Sequence, residues 1–138
     1  MTNMPSATRH NPILFDDFIV GASLGSHQLE YDAALTGHWQ RIFGTDPLPQ
    51  AQAASMAVVL MMRAFLAVVS PRPPGNIHAK QWLQLGSMPV PGDRVTTTLR
   101  CRSKEIRRER RYVELEARAE NQRGEFLFLG VLTLVWAA

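Results

Sequence analysis

Few residues in this 138-residue chain are of types that do chemistry. Asp46 lies in Thr45-Asp46-Pro47-Leu48-Pro49, His38 stands beside Trp39, and His78 follows Gly75-Asn76-Ile77. A carboxylate and an imidazole held together can take a proton from water and return it to carbon, the requirement of general acid–base catalysis. Each residue also has a plainer use. Asp before Pro is an ordinary turn former, an aromatic-flanked histidine on a short helix is commonly packed or solvated, and a histidine at a strand start can simply face water. Cys101 is the lone cysteine, so there is no internal disulfide framework, and with four scattered histidines it leaves no cysteine-based zinc site. No metal and no cofactor are expected, and the compartment is expected to be reducing, namely the cytoplasm.

Charge comes almost wholly from arginine, thirteen against two lysines, for a net charge of +3. Nine of the fifteen basic residues fall between positions 100 and 123, interleaved with Glu105, Glu109, Glu114, Glu116 and Glu120. That alternation suits a solvated strand face more than a phosphate footprint. Nucleic acid is not an expected partner, because Tyr112 is the only aromatic among these basic strands, whereas single-strand binders interleave several stacking rings. Arg107, Arg108, Arg110 and Arg111 cluster at a predicted hairpin turn, and Lys80 and Arg94 lie near strand starts. Arginine forks suit bidentate phosphate contacts, with solubility and cross-strand pairing as the plainer use.

The elements that must position these residues follow from periodicity. Residues 1–14 have no apolar stretch of signal-peptide type and are expected to form a flexible leader. Phe15-Asp16-Asp17-Phe18 opens the fold, and a strand carrying Ser26, Gln28 and Glu30 follows. Leu35, Trp39, Ile42 and Phe43 recur at helical spacing over residues 31 to 43, closed by Gly44. Residues 53 to 69, AASMAVVLMMRAFLAVV, are apolar nearly all round and predict a buried helix, with Ser55 as its cap. The segment is too short, with Arg63 inside it, to cross a membrane. Beyond Pro71, Pro73, Pro74 and Gly75 the chain reads as four strands in a meander, the last apolar on both faces. A long antiparallel sheet wrapped around one buried helix covers that helix and leaves an edge that favours dimerisation.

In order and spacing, FDDFIVGASL, LEYDAALTGHWQRIFG, PVPGDRV and VELEARAENQRGEFLFLGVLTL resemble the MaoC-like acyl-thioester dehydratase group of the hotdog superfamily. The resemblance covers residues 15 to 136. It implies an α+β fold, a single hotdog domain over residues 15–138, and a homodimer or dimer of dimers acting on an acyl thioester of coenzyme A or an acyl carrier. It also implies a Gly-Asp pair at the end of the short helix, with a histidine about five residues on, that hydrates an enoyl thioester reversibly. Here Thr45 follows the glycine, Asp46 stands one position late, and Pro49 falls where the histidine belongs. The dyad is degenerate.

Three functions are therefore weighed. The first is hydration or dehydration, with Asp46 and His78 catalytic, His38 the other imidazole, and the thioester carbonyl held by backbone N–H groups of Ala54, Ser55 or Met56 at the long helix's start. Arg94 would contact the carrier, and Met56, Met61 and Met62 would be core residues that could also border an acyl tail. The second is a thioesterase, disfavoured because the long helix carries no acid. The third is a non-catalytic acyl-thioester binder, or a partner of a catalytic hotdog chain.

Overall fold

Alternation of apolar and polar residues builds most of the molecule, and the apolar face has one helix to bury. The computed structural model describes residues 11–44 and 49–138. After a 3-10 turn at Phe15–Asp17 come β1 (Ser23–Tyr31), α1 (Ala33–Phe43), α2 (Pro49–Val68), β2 (Ile77–Leu85), β3 (Asp93–Arg107), β4 (Arg110–Glu120) and β5 (Phe126–Trp136). The strands form one antiparallel sheet in the order β1-β3-β4-β5-β2. Only β3, β4 and β5 form the expected meander. The outer side of β3 is already occupied by β1, so β2 takes the open side of β5 and becomes an edge.

Val113, Leu115, Ala117 and Ala119 of β4 are all fully buried against α2, while the residues between them face outward, as their alternation predicts. Met56, Leu60, Met61, Ala64 and Val68 supply the helix side of the core. Gly130 of β5 makes room for the Met61 side chain: a β-carbon there would collide with Met61 Sδ. At the other end of β5, Trp136 meets Phe18 edge-on at 4.9 Å, and its indole N–H donates to the Ile13 carbonyl at 2.8 Å. Ile13 is buried and its own N–H donates to Pro71 O, so the fold takes in a residue assigned by sequence to the leader.

The helix boundaries shift for physical reasons. Asp32 is the N-cap of α1, accepting from Leu35 N–H at 2.9 Å, so Tyr31 stays in β1 and helix follows strand without a loop. α2 begins at Pro49, four residues before the expected start, because proline at the first helical position loses no hydrogen bond and already has the right φ. Ser55 therefore sits in the second turn and caps nothing. At the far end of α2 the Arg72 guanidinium donates to Leu66 O and Val69 O and lies 5.5 Å from the Phe65 ring centre, satisfying carbonyls the helix leaves open.

Candidate active site

α2 packs most closely on β1 and β3, and the space it leaves over β5 and β2 is a cavity of about 190 Å3. Ala53, Ala57 and Leu60, spaced to share one helix face, form one wall. Leu127 and Phe128 of β5 form another, and Leu85 to Pro89 wrap the opening. Two alanines on a helix otherwise rich in larger residues make the room. The wrap is pinned: Gly86 N–H donates to Leu127 O at 2.8 Å and Ser87 N–H to Phe126 O at 2.9 Å. A β-carbon at Gly86 would strike the Phe126 ring and carbonyl, so this close approach requires glycine. Among the described residues the lining carries no ionisable side chain. What the cavity can do by itself is bury a short apolar chain.

The residues expected to act on such a chain are dispersed. Asp46 lies outside the described residues, in the stretch joining α1 to α2. His78 is exposed at the start of β2, seven residues from Leu85 at the cavity, a separation of about 20 Å along an extended strand. It therefore does not line its own chain's cavity. His38 borders a different, open depression with Glu30, Asp32, Arg41 and Arg63. Because α2 starts at Pro49, the N–H groups of Ala54, Ser55 and Met56 bond within the helix and are not free to polarise a carbonyl; the open donors belong to the first turn. Met56 is buried in the core, and Ser55 borders an apolar depression with Trp39, Val58 and Val59. Arg94 is exposed next to inward-facing Val95, so it projects from the sheet face opposite the cavity.

The arginine cluster is also remote. Arg107 to Arg110 turn between β3 and β4 beyond the Trp136 end of β5, roughly 25 Å from Phe128 at the cavity. There Arg107 stacks over Tyr112 at 4.4 Å and pairs with Glu105 at 3.5 Å. Arg108 and Glu109 both hold positive φ, 50° and 65°, without a glycine. Cys101 is fully buried in the core, and burial pushes its thiol pKa up, which makes it a packing residue and not a nucleophile.

Asp93 is the one fully buried carboxylate among the described residues. It accepts from Val90 N–H at 3.0 Å, from Gln122 Nε2 at 3.3 Å and from Arg123 Nη2 at 3.2 Å. The Val90 hydrogen bond first, and then the Gln122 and Arg123 contacts, hold its pKa below the ordinary value despite burial. These three hydrogen bonds fasten the turn before β3 to the β4–β5 turn, a structural role.

Solved structures share this architecture. The MaoC-like dehydratase from Rhodospirillum rubrum superposes with a TM-score of 0.74 at 20% identity, covering 91% of this chain and 98% of that one. This chain has the hotdog fold. The (R)-hydratase from A. caviae involved in PHA biosynthesis is similar in structure, with a TM-score of 0.66 at 19% identity over 87% of this chain and 98% of that one. The HadBC (3R-hydroxyacyl-ACP dehydratase) complex from Mycobacterium tuberculosis gives 0.61 at 15% identity, over 79% and 90%. No family model matches the sequence, and no curated protein matches it. The likeness thus lies in the fold. No helix among the described residues is long and apolar enough to cross a membrane.

Within the hotdog arrangement, sequence reasoning passed over the residues that shape the cavity. Ala53 and Ala57 fall in the run read as a helix that is apolar nearly all round, and Gly86 lies just past the strand read over residues 77 to 85. They are two of the six alanines in α2, and nothing local sets them apart.

Proposed function

We propose that this chain is a MaoC-like hydratase/dehydratase that adds water reversibly across the 2,3 double bond of an enoyl thioester carried on coenzyme A or an acyl carrier. The observation that carries this reading is the apolar cavity beside the first half of α2, in a hotdog fold whose solved neighbours are named as (R)-hydratases and dehydratases. The acyl tail occupies the cavity between Ala53, Ala57 and Phe128. The thioester carbonyl accepts from the open N–H groups of the first turn of α2, those of Gln50 and Ala51, in place of the groups one turn later. Asp46 stands just ahead of that turn in the chain and directs the attacking water: the oxygen bonds to C3 and a proton is delivered to C2. A cavity of roughly 150 Å3 holds a six-carbon ring, so about 190 Å3 suits a tail of about six carbons.

The chain works as a homodimer in this reading, because β2 leaves Ile77, Trp82 and Leu85 each about half exposed, at 52%, 50% and 44%, on an edge with one bonded neighbour. The buried free thiol of Cys101 suits a reducing compartment such as the cytoplasm. Hydrolysis is the weaker reading, since α2 carries no carboxylate to aim water at the carbonyl carbon.

Asp46→Asn tests the assignment. The variant is expected to keep the wild-type melting temperature and to lose at least 100-fold in hydration of a crotonyl or hexenoyl thioester, the scale of a lost general base. Full activity in a folded Asp46→Asn protein removes Asp46 from the mechanism.

A further inference from the structure

β2 lies beyond β5 in the sheet and β3 lies on the far side of β4, so the link between them, residues 86–92, must cross the ends of both intervening strands. Three strand spacings of about 4.8 Å make that gap roughly 14 Å, whereas the extended steps from Leu85 to Asp93 reach roughly 26 Å. The link is therefore long enough to bow away from the sheet unless it is held. It is also the segment that closes the cavity. Gly86, Ser87, Met88 and Pro89 all line it, and Met88 and Val90 are half-exposed apolar side chains.

The link is tied at both ends. At its start the N–H groups of Gly86 and Ser87 bond to the first residues of β5, and at its end Gly92 N–H donates to Tyr31 O at 2.8 Å while the Asp93 carboxylate reaches back to Val90. The two carboxylate oxygens serve different partners: Oδ2 accepts from Val90 N–H, and Oδ1 accepts from Gln122 Nε2 and Arg123 Nη2. The anchor is itself fixed, because Arg123 Nε donates to Glu125 Oε1 at 2.6 Å and Gln122 Oε1 accepts from Arg94 N–H at 2.9 Å. A carboxylate accepts on both sides, whereas an amide has one acceptor and one donor. Gln122 cannot turn over to compensate for an amide at 93 without losing Arg94. Pro89 and Pro91 flank Val90 with φ fixed by their rings, so the tie at Val90 also sets where Met88 and Pro89 lie.

We propose that Asp93 is a positioning residue for the cavity: through Val90 it holds Met88 and Pro89 against the mouth, so that an apolar tail is covered by the link and shielded from water. In Asp93→Asn two donors, one of them charged, compete with one for the single amide oxygen. The oxygen stays with Gln122 and Arg123, Val90 is released, and the stretch from Met88 to Pro91 lifts. That the covered tail is an acyl chain rests on the acyl-thioester reading above; the covering does not.

The test compares hexanoyl-CoA binding by titration calorimetry in the wild type, Asp93→Asn and Val113→Ala, each well below its melting temperature. Val113 is fully buried near the Trp136 end of β5, remote from the link, so Val113→Ala lowers stability without touching the mouth. Asp93→Asn is expected to raise Kd about 15-fold, the effect of uncovering two methylenes. In turnover of hexenoyl-CoA it is expected to raise KM and leave kcat within about 2-fold, the mark of lost uniform binding. Val113→Ala is expected to keep the wild-type Kd. A folded Asp93→Asn protein with wild-type Kd overturns the proposal, and so does an equal loss in Val113→Ala, since affinity would then follow stability alone. If the wild type does not bind hexanoyl-CoA, the acyl-thioester reading fails and hexan-1-ol, which needs only the apolar cavity, decides the covering. Weaker binding of the alcohol by Asp93→Asn than by the wild type supports it; equal binding by both, or none by the wild type, overturns it.

Discussion

Filling the cavity at Ala57 should change which acyl chains bind, by an amount the geometry sets. Ala57 is buried, lines the cavity and lies one turn beyond Ala53, farther from the first turn of α2, so it borders the distal part of a bound tail. Ala57→Leu adds three carbons. If a cavity of roughly 150 Å3 holds six carbons, three more take up about half of the 190 Å3 and displace about three carbons of a six-carbon tail. At about 0.8 kcal/mol per buried methylene the loss is ~2.4 kcal/mol, or roughly 50-fold in Kd. Titration calorimetry with butanoyl- and hexanoyl-CoA, which bind without turning over, measures it directly. Hexanoyl-CoA should weaken by roughly 50-fold and butanoyl-CoA by less than about 3-fold. The melting temperature should hold or rise, since leucine fills space and is nearly as good a helix former as alanine. Equal losses for both ligands, or none for hexanoyl-CoA, would refute the placement of the tail.

Two further outcomes follow from the turns. Asp93→Asn removes the charge from the hydrogen bonds to Val90, Gln122 and Arg123 and should cost about 1–2 kcal/mol near neutral pH. Because the folded-state pKa of Asp93 is lowered, its contribution is present above the ordinary carboxylate pKa and is lost as pH falls below it. Chemical denaturation from pH 7 to pH 3 should therefore show the gap between wild type and variant closing at the acid end. At the β3–β4 turn, Arg108→Asn with Glu109→Gly supplies residues suited to two positive φ angles and should raise stability by about 1 kcal/mol, read as a higher denaturation midpoint.

Periodicity reports which face of an element is buried, and that much of the fold was legible. The alternation of Val113, Leu115, Ala117 and Ala119 and the all-round apolar run of α2 gave the inner sheet face and the enclosed helix. Periodicity does not report neighbours. Nothing local in Ile77 to Leu85 tells whether it pairs with β3 or β5; that choice was set by β1 occupying the other side of β3. The helix start was misplaced because two nearby prolines read as a loop, although one of them suits the first helical position. The site was less legible still. A cavity is a property of distance between elements, so Ala53, Ala57 and Gly86 carry no signal until α2 is seen leaning toward β1 and β3. His78 lies on the helix side of the sheet but at its far end, a distinction that a single bulge at Ala79 and the run of β2 decide.

The most direct test is to incubate the wild-type protein with trans-2-hexenoyl-CoA and follow the acyl group by NMR while free thiol is measured in the same sample. Conversion to 3-hydroxyhexanoyl-CoA with no release of free coenzyme A is expected. Thiol release without the hydroxyacyl product, or an unchanged enoyl thioester, would contradict it.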